Sequence, residues 1–301
     1  WNMSIEAIEK EHNCTTAKEI LNLFSFLAQA PIPISLVKDW GRQFYPELSE
    51  LEIENALRYL CDYSMISSSQ PHNYDVHLLV QSVTRYQITD EMQNKIFKQV
   101  LILMISQMKQ IQTDNQDAWN PARLYMPHGT SLLKNEKFMQ NIDLEHQHAF
   151  IEALGLIYRA LGNPQQTLEL YQKDVSVTKE WSRHSPDSQK AQEATAHSYN
   201  NIGMALQDLG KPQKALDFHN KDLAIRKSLL GENHPYVATT YINIGNVLQN
   251  LKKPPEALDS YQKSLDIRLS LFGENHPDVA TTYNNIGMAL QALKKPYEAL
   301  D

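Results

Sequence analysis

The chain has 301 residues, with 28 Lys and Arg against 35 Asp and Glu, a formal charge of −7, and 42% apolar side chains, enough for two domains of ordinary size. Mild acidity argues against a nucleic-acid binder, and the longest apolar run, Val100 to Ile105, is far below the ~20 residues of a membrane span. The two cysteines, Cys14 and Cys61, stand in no metal or redox spacing and fit small core residues of a cytoplasmic protein.

Taken in order, residues 15–30 predict a helix capped by Thr15 or Thr16, with Ile20, Leu23, Phe24 and Leu27 as its apolar face and 30–33 as its stop. A second helix over 35–44 carries Leu36, Val37, Trp40 and Phe44. Ser49 and Glu52 form a capping box for a third, whose Ile53, Ala56, Leu57 and Leu60 share one face. Residues 65–68 and 74–77 flank a turn at 70–73 and predict a hairpin; Leu79, Val83 and Tyr86 begin another helix. Three helices and a hairpin outline a winged helix, a fold often used to read DNA. Here the charges oppose that use. From 34 to 90 the cations are Lys38, Arg42, Arg58 and Arg85, outnumbered by acids, and the third helix opens with Glu50, Glu52 and Glu54.

The stretch Val76-His77-Leu78-Leu79-Val80-Gln81 resembles the winged-helix segment of NB-ARC/STAND signalling ATPases, a likeness covering residues 15–90. The resemblance implies that His77 touches a nucleotide phosphate bound by an upstream domain. Its flanks, Val76 and Leu78, differ from the Met-His-Asp of the plant-type motif, and packing at a strand–helix junction is the plainer alternative.

Residues 90–112 predict a further helix with Met92, Ile96, Val100, Leu103 and Met104 as its apolar face. The polar break 114–117 is the expected boundary, giving a winged-helix-like domain with its connecting helix at 1–113 and a helical array at 114–301. Asn120-Pro121 can start a helix, and Leu124 to His128 resembles the Leu-x-x-Pro-His entry to repeats in the same ATPases. Divergent repeats are expected over 120–190. Gly155 and Tyr171 align with Gly203 and His219, 48 residues on, and the six residues in excess of the later period suggest a polar bulge over 183–192.

From 191 to 301 the period is regular. Gly203, Gly245 and Gly287 recur every 42 residues, and Gly-Glu-Asn-His-Pro recurs at 231–235 and 273–277. Such a period marks an α-solenoid. Helix A of a unit carries Tyr241, Ile244 and Leu248; helix B starts at Pro254 and carries Ala257, Leu258, Tyr261, Leu265 and Ile267; Gly273 is a C-cap, and His234 and His276 are turn or cap residues. Gly245 inside helix A costs roughly 1 kcal/mol against Ala, which close approach of helix B, through Ala257 (Ala215 and Ala299 in the neighbouring units), would offset. These residues resemble the long tetratricopeptide repeat (TPR) of kinesin light chains and of many signalling ATPases. The start at Trp1 and the stop at Asp301, within a truncated last repeat, suggest a segment of a longer protein.

The expected fold class is therefore mostly α, a winged-helix-like domain followed by a solenoid of helix pairs. No phosphate loop, zincin, serine-hydrolase or paired Cys-x-x-Cys motif occurs, and His146 and His148 are poorly spaced for a metal, so no catalytic residue and no metal site is assigned and no enzyme is expected. Any ADP or ATP would belong to the parent protein, as would any oligomer. Asn201, Asn243, Asn246 and Asn285, with Gln207, Gln249 and Gln291, would line a groove whose amides pair with the backbone of an extended peptide; the alternative is that they serve hydrogen bonds between helices. The partner is thus a protein or peptide. The expected role is the sensor and regulatory half of a STAND-type ATPase; the alternatives are a stand-alone adaptor resembling kinesin light chain, or a winged-helix transcription regulator.

Overall fold

The computed structural model describes residues 2–12, 14–111 and 119–293. The 114–117 break, Ala299 and both chain ends lie outside them. The chain forms two compact units, Trp1–Leu161 and Gly162–Asp301.

The first unit runs α1 (Asn2–His12), α2 (Thr16–Phe24), β1 (Ile32–Pro33), α3 (Ile34–Phe44), α4 (Glu50–Asp62), β2 (Ile66–Gln70), β3 (Asn73–Val76), α5 (Leu78–Tyr86), α6 (Asp90–Lys109), α7 (Trp119–Leu133), α8 (Glu136–Met139) and α9 (Leu144–Ala160). The capping box is present: the Ser49 hydroxyl accepts from the Glu52 amide, and the Glu52 carboxylate accepts from the Ser49 amide at 2.8 Å. Ile20, Leu23, Phe24, Leu36, Val37, Trp40, Ile53, Leu57 and Leu60 are buried, so one core holds the faces read from the 3.6-residue period.

Three features differ from expectation. First, α2 stops at Phe24, because the Gln81 amide on α5 donates to the carbonyls of Phe24 and Leu27 at 2.8 and 2.9 Å and satisfies the helix end from 54 or more residues away. Second, the hairpin gains a third strand: β1 pairs with β3 in the order β1-β3-β2, Ile32 opposite Tyr74. Pro33, which lacks a donor, is tolerated there because the strand is an edge. Third, Met92 is 41% exposed and faces water, while Ile96, Val100, Leu103 and Met104 are buried as expected. The Leu124–His128 stretch lies inside α7, whose Pro127 is mid-helix. α9 packs on α6 and α7 within this unit.

The described residues of the second unit form six helices, a leading helix B, two complete A/B pairs and a further helix A: α10 (Pro164–His184), α11 (Gln189–Asp208), α12 (Pro212–Leu230), α13 (Pro235–Asn250), α14 (Pro254–Phe272) and α15 (Pro277–Ala292), each packed against its chain neighbours. Proline sits in the first turn of α10, α12, α13, α14 and α15, where a missing N–H costs nothing. Gly231 and Gly273 end α12 and α14 at φ 81° and 75°, and the His234 and His276 imidazoles cap the next helices by accepting from the Tyr236 and Asp278 amides at 3.2 Å.

No bulge occurs at 183–192. The linker 185–188 is as short as 231–234 and 273–276, and the six extra residues lengthen helices instead. From Tyr171 to the end of α10 is 13 residues, against 11 from His219 to the end of α12; from the start of α11 to Gly203 is 14, against 10 from the start of α13 to Gly245. Polar composition at 183–192 reflects the solvated ends of two long helices.

Candidate functional site

Each pair is locked by an aromatic ring over a glycine. A Cβ built on Gly245 would lie 2.3 Å from Tyr261 Cε1, and one on Gly203 would lie 2.5 Å from His219 Cε1. The gap left by glycine is therefore filled by a ring, rather than by the close helix approach through Ala257 that the sequence suggested; Ala257 is buried nearby. Tyr261 donates to Asn246 Oδ1 at 2.7 Å, and burial pushes its phenol up to about 12. His219 is fully buried, its Nε2 is 3.1 Å from the Gln207 amide nitrogen, and burial pushes its imidazole down to about 4.

A second repeated feature lies between helix B of one pair and helix A of the next. Ser198 on α11 donates to Asp174 on α10 at 2.6 Å, and Thr240 on α13 donates to Asp222 on α12 at 2.7 Å. Arg226 also donates to Asp222, whose pKa is raised by burial against the pull of that guanidinium. At the third interface the register holds Ser264, Arg268 and Thr282. Arg268 donates to Thr282 Oγ1 at 2.9 Å and to the Asp278 carbonyl at 2.8 Å, and the buried Ser264 hydroxyl has no hydrogen-bond partner among the described residues. These positions escaped the sequence reading, although Asp222 and Ser264 sit one period apart; a buried charge is legible only once its neighbours are known.

The seven candidate amides divide. Asn246 and Gln207 serve the helix-B rings just described. Asn201 is 5% exposed, and Gln249 Nε2 is buried with no hydrogen-bond partner among the described residues. Asn243 and Asn285 are half-buried and Gln291 is exposed. Asn243 donates to Asn200 Oδ1 at 2.9 Å, so the amide that adjoins α13 is Asn200, which the 42-residue register does not single out. Around this pair lies a strip of the A helices: His197 stacks edge-on to Tyr236 at 5.7 Å, and Tyr236 and Met288 are 47% and 45% exposed. Tyr241, read as core, is half-buried, with the Lys227 and Lys263 ammonium groups 5.5 and 5.9 Å from its ring centroid; Lys179 and Lys221 flank Tyr199 in the same way.

His77 is exposed at the start of α5, where its Nδ1 accepts from the Leu79 amide at 3.1 Å. It caps the helix; it does not pack the junction. Among the described residues no group of three or more His, Cys, Asp or Glu side chains is placed to hold a metal ion, and no helix is long and apolar enough to cross a membrane.

Comparison with known proteins agrees with this architecture. The tetratricopeptide-repeat family model matches residues 194–270 and 236–301, so these residues are tetratricopeptide repeats, whose fold is generally a non-catalytic, protein-binding scaffold. No curated protein matches the chain. Among solved structures, BtubC (BKLC) from P. vanneervenii is 20% identical, covering 73% of this chain and 82% of that one at a TM-score of 0.50. A kinesin-light-chain candidate from Podosopora anserina with nearly identical TPR-like repeats is 19% identical over 66% and 87% of the two chains, TM-score 0.48. A signal transduction ATPase with numerous domains (STAND) carrying a tetratricopeptide repeat sensor, from Pyrococcus horikoshii, is 13% identical, TM-score 0.43; the match covers 94% of this chain but 49% of that protein.

Proposed function

We propose that the chain is a peptide-binding tetratricopeptide scaffold that acts as the sensor and regulatory half of a STAND-type signalling ATPase. The binding reading rests on the strip of α11, α13 and α15 that carries Asn200, Asn243, Asn285, Tyr236 and Met288. Amides there offer both donor and acceptor to a peptide backbone, and the half-exposed aromatic and thioether groups offer apolar contact. The regulatory reading is supported by the order α2–β1–α3–α4–β2–β3 ahead of repeats in one chain, three helices and a small sheet in the sequence expected of a winged helix. In that arrangement capture of a protein or peptide shifts an equilibrium held by an upstream nucleotide-binding domain, with His77 exposed to face it.

The test is a peptide selected from a display library on the full chain and titrated calorimetrically against Asn243→Ala and Asn285→Ala. Each is expected to weaken binding about tenfold, the cost of a lost buried hydrogen bond, with melting nearly unchanged. Undiminished affinity in both variants rejects the strip as the site. A phosphate-loop motif upstream in the reading frame separates the regulatory role from a stand-alone adaptor, for which none is required.

A further inference from the structure

In the first unit, a cleft of about 420 Å³ opens between the turn after α2, the length of α5 and the corner joining α7 to α8. Its size falls within the ~300–1,000 Å³ of ordinary small-molecule sites. Two cations line it, Arg85 and Lys137, and its lining contains no carboxylate. We propose that this cleft binds a small phosphomonoester, with its phosphoryl group on Arg85 and Lys137 and its body against Phe26 and Leu78.

The guanidinium of Arg85 carries the argument. It is half-buried, donates to the Ser25 carbonyl, and lies 5.9 Å from the Phe26 ring centroid. Two other cations of this unit have counter-ions by contrast: Lys38 contacts Glu50 and Glu54 at 2.8 and 2.6 Å, and Arg42 contacts Asp39 and Glu50 at 2.6 and 2.8 Å. Among the described residues the Arg85 guanidinium has a backbone oxygen and a ring as its partners and no carboxylate, and its pKa is lowered by burial. A cation drawn from water without an opposite charge is costly, and an arriving anion removes that cost. The planar fork of Arg85 suits two phosphoryl oxygens, and Lys137, in the same lining, supplies a second point charge. Lys137 is exposed and paired with Asp90 at 3.1 Å, a contact outside the cleft lining that a better-placed anion can replace.

The walls are fixed before any ligand arrives. Gln81 holds the turn through the Phe24 and Leu27 carbonyls, and Gln93 holds the end of α5 by donating to the Arg85 and Ile88 carbonyls at 2.9 and 3.1 Å. Phe26 is packed edge-on against Phe97 and Phe138, at 5.7 and 5.3 Å, so the apolar side is rigid as well. Leu78, 53% exposed at the rim, gives the ligand's body an apolar contact. A site of this kind prefers a phosphate with an apolar substituent over the bare ion.

The test is calorimetric titration of the full chain at low salt with phenyl phosphate, inorganic phosphate and benzoate. Phenyl phosphate should bind at least about tenfold tighter than either of the others. Arg85→Gln should abolish the binding, and the exposed substitution Lys137→Ala should weaken it about three- to tenfold, with circular dichroism unchanged. If Arg85→Gln fails to fold, Arg85→Lys, which keeps the charge and loses the fork, should weaken binding together with Lys137→Ala. No heat with phenyl phosphate, affinity untouched by the variants that fold, or equal affinity for benzoate would each overturn the assignment.

Discussion

His219 should make the repeat unit acid-sensitive, and His219→Tyr should remove that sensitivity. The imidazole is fully buried over Gly203 with its pKa pushed down to about 4, against 6.5 when unfolded. The unfolded chain therefore binds the proton more readily, and stability present above pH ~6.5 is lost as pH falls toward ~4. At 1.36 kcal/mol per pH unit the full loss is ~3 kcal/mol, and most of it has accrued by pH ~4.5. For a unit of this size that is a drop in Tm on the order of 10 °C. Tyrosine fits because Tyr261 fills the same place one period on, over Gly245, with its hydroxyl on Asn246. The residue in register with Asn246 is Met204, so Met204→Asn with His219→Tyr rebuilds the pair. The assay is thermal melting at pH 4.5 and 7.5, comparing the drop in the parent chain with that in the double variant. His128, also fully buried and pushed down to about 4, contributes equally to both proteins and cancels. An identical drop in the two would refute the argument, since burial of a neutral imidazole at 219 would then have no energetic consequence.

Gly245→Ala should destabilise despite better helix propensity: the ~1 kcal/mol gained is opposed by ~1–3 kcal/mol of overpacking against the Tyr261 ring, and a denaturant double-mutant cycle with Tyr261→Ala should show strong coupling. Asp222→Ala strands the buried Arg226 and should cost ~3–5 kcal/mol in urea unfolding, whereas Ser264→Asp, which gives Arg268 the partner its neighbour has, should raise Tm. Lys252 occupies the left-handed region at φ 59°, where Gly210 stands in the preceding turn, so Lys252→Gly should stabilise by ~0.5–1 kcal/mol by the same measurement.

Periodicity made the helix pairs readable without coordinates. Spacing of Gly203, Gly245 and Gly287, prolines at helix starts and the Ser49 capping box are local devices whose energetics depend on residues a few positions apart, so the linear chain records them fully. The 42-residue register also placed the candidate amides on helix A of each unit. It could not say which amide faces a neighbour: Asn200, not Asn201, meets Asn243, because a rotation of about 100°, one residue of helix, decides that and only packing fixes it. Likewise Met92 fits a helical stripe by spacing yet faces water.

The sequence alone determined that the chain is helical, that its later part repeats, and where most helices start and stop, since propensity, capping and apolar period act within one or two turns. Tertiary structure decided the rest. It ended α2 early through Gln81, filled the glycine gaps with rings, aligned Asp222, Arg226 and Thr240 into a buried layer, and left Arg85 in a cleft without a carboxylate. Each depends on groups brought together across a distance in sequence, where burial sets the strength of every charge and hydrogen bond, and burial is a property of the packed fold.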